Sequence, residues 1–152
     1  MENLPVYLFN HQSTASVRGI TMLGQLTKST DVPVRMFMAT IFILSGFGKF
    51  GAYASTQGYM EMFGVPGFLL TPTIVLEAGA GLAVLVGFKT RYAALLLTVF
   101  TLLTAVIFHS NFADQIQQIM FLKNLAITGG LLLLAKVGAP QFSVDQFLTA
   151  RK

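Results

Sequence analysis

A chain of 152 residues that is 54% hydrophobic and only 11% charged has the length of one domain, but it is too apolar for an ordinary soluble protein, in which about 25% of residues are charged. It contains no cysteine, which excludes disulfides, thiolate catalysis, thiolate-held iron–sulfur clusters and CxxC redox chemistry. The net charge of +4 comes from basic residues spread in ones and twos between apolar runs, a pattern that sets membrane topology and does not suit nucleic-acid binding.

Residues 1–32 are polar and mixed and read as an N-terminal arm without the apolar core of a signal peptide. Within it Val17, Ile20, Leu23 and Leu26 recur at helical intervals, which predicts a short interfacial helix. Four apolar runs then follow, at 33–50, 69–87, 92–110 and 117–136, each long enough to cross a bilayer. The expected fold is all-α, an integral-membrane four-helix bundle over 33–138, followed by a tail over 139–152. The short link GFKTRY makes the second and third spans an antiparallel pair. The longer link GAYASTQGYMEMFGVPGF has room for a turn of interfacial helix before its Gly-Val-Pro-Gly break, and it carries Tyr53, Tyr59, Phe63 and Phe68 for the headgroup level.

Lys and Arg fix the expected orientation. Arg18, Lys28 and Arg35 precede or open the first span, Lys89 and Arg91 occupy the middle turn, and Lys136, Arg151 and Lys152 follow the last span. The positive-inside rule places both termini and the middle turn in the cytoplasm, and the first and third links outside.

Against that topology a few polar residues stand out. At 1.5 Å per helical residue, Glu77 in TPTIVLEAGAGLAVLVG lies within about 2 Å of mid-span and Lys123 about 5 Å outward of it. Lys49 and His109 lie about 11 to 12 Å outward. Ala80 and Gly81 flank Glu77 on one face, which directs the carboxylate into the bundle. Asn124 and Thr128 form an i,i+4 polar pair beside Lys123; Ser45, Gly46 and Lys49 share a face, as do Thr101, Ala105 and His109. An unpaired charge at such depth costs about 2.5 to 3.5 kcal/mol or more. Glu77 is therefore expected to pair with Lys123, with Lys49 in reach through its long side chain, or else to be protonated. Such a pair serves either to fix helix register or to act on a proton or a polar headgroup. His109 reads either as an interfacial residue bonded to a loop or as a proton donor near the outer surface. His11, on the opposite side, cannot join it as a haem ligand. No metal site is expected.

These residues, in order, resemble the DoxX family of small four-helix bacterial membrane proteins. The resemblance covers about residues 33–147. It rests on Ser45, Gly46 and Lys49 ending the first helix, Glu77 in the second, the turn Gly87-x-x-Thr90-Arg91, His109 closing the third helix, Lys123 in the fourth, and the tail pair Ser143 and Asp145. Pro140 stands where a second glycine is commoner. Relatives in that family include the membrane subunit of an archaeal thiosulfate:quinone oxidoreductase and a mycobacterial protein linked to redox defence. The resemblance therefore implies an inner-membrane protein with a quinone-linked or redox-partner role.

Three functions compete. In the first, a quinone enters the outer half of the bundle, Lys123 or His109 bonds a carbonyl, and Glu77 relays the proton; no cofactor is bound by motif, so electrons must come from a partner protein. The second, transport, is disfavoured because there is no inverted repeat or broken-helix pair. In the third, the chain is a non-catalytic accessory or scaffold subunit of a larger membrane complex, or a homo-oligomer. Ser45, Asn124 and Thr128 would support the polar site in any of them.

Overall fold

The computed structural model describes residues 30–150. The helices are α1 (Asp31–Gly51), α2 (Tyr53–Met62), α3 (Leu70–Val86), entered through a 3₁₀ turn at Gly67–Leu69, α4 (Thr90–Phe108), α5 (Gln115–Val137) and α6 (Val144–Thr149); no strand occurs among the described residues. Four segments are long and apolar enough to cross a membrane: Asp31–Gly51, Gly67–Val86, Thr90–Phe108 and Gln115–Val137. The expected all-α bundle is therefore found, with span edges within about two residues of those read from the sequence. The interfacial helix expected around 17–26 lies outside the described residues.

The lipid-facing surface explains the composition. Phe37, Leu44, Val75 and Leu133 are exposed along the spans, an arrangement that is favourable only where the solvent is itself hydrocarbon. Two buried threonines solve the matching polar problem locally: Thr98 and Thr101 donate to the carbonyls of Ala94 and Leu97, one turn back at 2.8 and 2.7 Å, so neither hydroxyl is left bare in the apolar interior.

Small residues decide how the helices pair. Gly46 of α1 lies against Ala78 of α3, where an added Cβ would meet the Ala78 Cβ at 3.2 Å, and Gly81 of α3 lies equally close to Phe42 and Ile43. α1 therefore runs tightly along α3, α4 runs along α5, and the two pairs meet along a looser seam. The end of the bundle nearest the described termini is filled by a dry cluster of Ala39, Phe42, Val84, Ala94, Leu97, Leu131 and Leu134. The opposite end is not filled, and the cavity described below opens there.

The segment after residue 138 packs back on the bundle. Ser143 caps α6 by accepting from Gln146 N at 3.1 Å. Asp145 reaches the N-terminus of α4, accepting from Lys89 N at 2.7 Å, Thr90 N at 3.0 Å and Thr90 Oγ1 at 3.1 Å. Those are the orphan N–H groups that any helix start must satisfy. Arg35, expected at the membrane boundary, is 1% exposed. Its Nη1 donates to Leu85 O at 3.1 Å, and its Nη2 donates to Gln141 O and Phe142 O at 3.1 and 3.0 Å. Asp31 stands 3.6 Å away as counter-ion. The guanidinium thus binds the C-terminal segment to α1 and α3. Gly87 makes this possible: at φ 72° it carries no Cβ, which would otherwise sit 2.4 Å from Ser143 Cβ and 2.5 Å from Arg35 Nη1.

Candidate functional site

A cavity of about 510 Å³ occupies the seam between the two helix pairs, in the half of the bundle remote from the described termini. Its walls are mostly apolar, with Leu76, Phe100, Leu103 and Ile107 from α3 and α4, and its charged pair comes from α1 and α3, with further polar groups from the end of α4 and from Asn124 of α5. α2 lies over it, contributing Thr56, Tyr59 and Met60. Tyr59, Phe63 and Phe108 form one aromatic group with ring centroids 4.9 to 5.6 Å apart, which ties α2 to the end of α4. The hydroxyls of Tyr53 and Thr71 lie 2.7 Å apart and hold the other end of α2 to α3.

Glu77 lies at the floor, 4% exposed. Its partner is Lys49, not Lys123. Lys49 Nζ lies 2.8 Å from Oε2 and donates to Oε1 at 3.1 Å. Ser45 Oγ also donates to Oε1 at 3.1 Å, and Lys49 itself bonds to Ser45. The close α1–α3 contact at Gly46 and Gly81 sets Ser45 and Lys49, one helical turn apart, directly across from Glu77. Lys49 begins further outward than Glu77 but reaches down along its four-carbon stem. Lys123 fails as a partner by direction, not by depth: it lies on the exposed face of α5, and its neighbour Asn124, about 100° further round the helix, lines the cavity instead. Lys123 makes no hydrogen bond or ion pair among the described residues.

One acceptor in the carboxylate is incompletely used. Oε2 is in charge contact with Lys49, yet no donor is aligned on it for a hydrogen bond. A buried carboxylate oxygen left in this state offers a bonding position to whatever fills the cavity. At the rim, His109 Nδ1 lies 2.7 Å from Gln117 Oε1; this geometry suits an Nδ1–H donor and leaves Nε2 as the ring's remaining polar atom. Thr128 is buried, and its Oγ1 has no partner among the described residues.

Of the residues singled out from the sequence, the structure therefore brings Glu77, Lys49, Ser45, His109 and Asn124 to one cavity, and places Lys123 and Thr128 outside its lining. Sequence reasoning missed Gln117 and the aromatic cover. Gln117 lies eight residues after His109 across a short link, and Tyr59 and Phe63 sit four residues apart at the end of α2, so the His109–Gln117 and Tyr59–Phe63 contacts had a local signal.

The fold and this site define a multi-pass membrane protein whose cavity joins an apolar interior to a buried, hydrogen-bonded ion pair. A family model for DoxX matches residues 31–110. The chain is similar to the inner membrane protein YqjF of Escherichia coli, with 51% identity over 83% of this chain and 99% of that protein. It is similar as well to the inner membrane protein YphA of the same organism, with 37% identity over 74% of this chain and 85% of that one. No solved structure matches. The chain belongs to the DoxX family and is an inner-membrane protein.

Proposed function

We propose that the cavity binds a quinone-type molecule and that the protein is the membrane subunit of a redox assembly whose electrons come from a partner. The observation that supports this is a carboxylate–ammonium–hydroxyl cluster at the floor of a mostly apolar cavity in the membrane. Such a site suits a ligand with a flat polar head and an apolar body. Quinone reduction takes up two electrons and two protons. Lys49 donates a hydrogen bond to one carbonyl oxygen and Glu77 relays the proton that this oxygen takes up, His109 at the rim supplies the second proton to the other carbonyl oxygen, and both protons are replaced from water. The chain has no cysteine and no nucleotide-binding glycine motif, so the electrons enter from a flavin-, haem- or iron–sulfur-bearing partner.

The test is titration of a decyl-chain ubiquinone analogue into the protein in phosphatidylcholine nanodiscs, with bound analogue counted by native mass spectrometry. The expected result is one analogue per chain, bound about tenfold more weakly, or about 1.4 kcal/mol, in Glu77→Gln and Lys49→Met, and unchanged in Lys123→Met. Equal binding by all variants, or none by the unaltered protein, overturns the reading.

One observation favours the alternative of an accessory or scaffold subunit: Lys123 sits exposed within a membrane-crossing helix with no partner among the described residues, a costly position that a carboxylate on a neighbouring protein would relieve. A stable protein complex lost in Lys123→Met, purified without a quinone adduct, is the result that selects it.

A further inference from the structure

A second cavity, of about 750 Å³, lies at the opposite end of the bundle, between the start of α4, the end of α5 and α6. Lys89, Arg91 and Gln146 line it. Its carboxylate, Asp145, is already engaged with two backbone N–H groups and the Thr90 hydroxyl. The cations are not so engaged. Arg91 has one long contact, 3.5 Å to Val137 O, and the Lys89 ammonium lies 5.8 Å from the Phe88 ring centroid; neither forms an ion pair among the described residues. Asp145 also holds the backbone of Lys89 in a left-handed conformation, φ 44°, so the position of the first cation is set by the tail.

The surroundings indicate which anion fits. Tyr92 and Val137 line the cavity and are 75% and 52% exposed, and Phe142, Phe147 and Leu148 stand exposed on and beside α6. Cationic and amide donors thus meet an apolar margin at the level where the spans end, which is where a phospholipid headgroup passes into its acyl chains. We propose that this cavity is a binding site for the phosphate of an anionic membrane phospholipid, with Lys89 and Arg91 on the phosphate, Gln146 on the headgroup, and Tyr92 and Val137 along the upper acyl chain. A free phosphate shares the first part of that chemistry but not the second. The site is independent of the quinone cavity.

The test uses the full chain in nanodiscs of phosphatidylglycerol and phosphatidylcholine in equal amounts. Lipids retained on gentle release are counted by native mass spectrometry. The expected result is retention of phosphatidylglycerol over phosphatidylcholine, falling about fivefold for each of Lys89→Gln and Arg91→Gln, unchanged in Lys136→Gln, a cation just outside the cavity, and resistant to millimolar inorganic phosphate. Equal retention of the two lipids overturns the proposal. So does an equal fall in Lys136→Gln, which would mean diffuse surface charge, and so does displacement by inorganic phosphate, which would mean a soluble-anion site. A second measurement needs no variant: phosphatidylglycerol with a photoreactive headgroup, added to the unaltered protein, should label peptides containing residues 89–92 or 146–149. Labelling confined to other peptides refutes the assignment.

Discussion

Removing one member of the Glu77–Lys49 pair should be far more harmful than the small size of the change suggests. With Lys49→Met the carboxylate keeps only Ser45 at 3.1 Å and remains 4% exposed. Breaking a buried pair from one side costs about 3 to 5 kcal/mol, and the lower figure applies because the Lys49 side chain is 27% exposed. Glu77→Gln strands the more accessible partner, whose flexible stem can turn outward, and should cost about 1 kcal/mol. The double variant leaves an amide facing a thioether with no buried charge and should cost about 2 kcal/mol, less than the sum of about 4, a coupling of about 2 kcal/mol. Equilibrium unfolding of the four proteins in mixed micelles measures it. Additivity within about 0.5 kcal/mol would refute the pairing, and so would coupling of Glu77→Gln to Lys123→Met in place of Lys49→Met.

Further outcomes follow from the other end and from the helix contacts. Gly87→Ala should destabilise by about 2 kcal/mol or more, because its Cβ would fall on Ser143 and Arg35 and the residue has φ 72°; thermal unfolding together with faster proteolysis after residue 138 reports both effects. Asp145→Ala removes the cap of α4 and should cost about 1 to 2 kcal/mol, with the early residues of α4 losing hydrogen-exchange protection first. Gly46→Leu forces α1 from α3, since even a Cβ there would meet Ala78 N at 3.1 Å; expected are lower stability and a quinone-analogue affinity reduced at least as much as in Lys49→Met. By contrast, Gly129→Ala, whose Cβ would meet nothing within 4 Å, should be neutral or slightly stabilising by helix propensity.

The spans and most of the polar site were legible because they rest on hydropathy and on helical spacing, which are local properties. Glu77 and Lys49 could each be assigned a depth, Glu77 an inward face, and Ser45 the same helix face as Lys49. Which lysine met the carboxylate could not be read in the same way: depth along a helix follows from counting residues, whereas the direction of Lys123 depends on how α5 is rotated against α4, and that rotation is set by the whole packed surface. Arg35 escaped for a related reason. Near the start of an apolar run, an arginine looks like a topology signal, and its acceptors, the carbonyls of Gln141 and Phe142, lie more than a hundred residues away. The resemblance marks Gly87, Thr90, Ser143 and Asp145, but that the two motifs interlock shows only in the fold.

The contact between Arg35 and the C-terminal segment also bears on the order in which the protein can assemble. Synthesis delivers α1 to the bilayer early, but the two carbonyls that take up Nη2 emerge only after all four spans have been made. Until then the guanidinium has Asp31 and, once α3 is in place, the Leu85 carbonyl, while its Nη2 must find water at the membrane boundary. Its burial is therefore a late event in biogenesis. A chain interrupted before residue 141 would lack both acceptors of Nη2 and leave the first span unlatched.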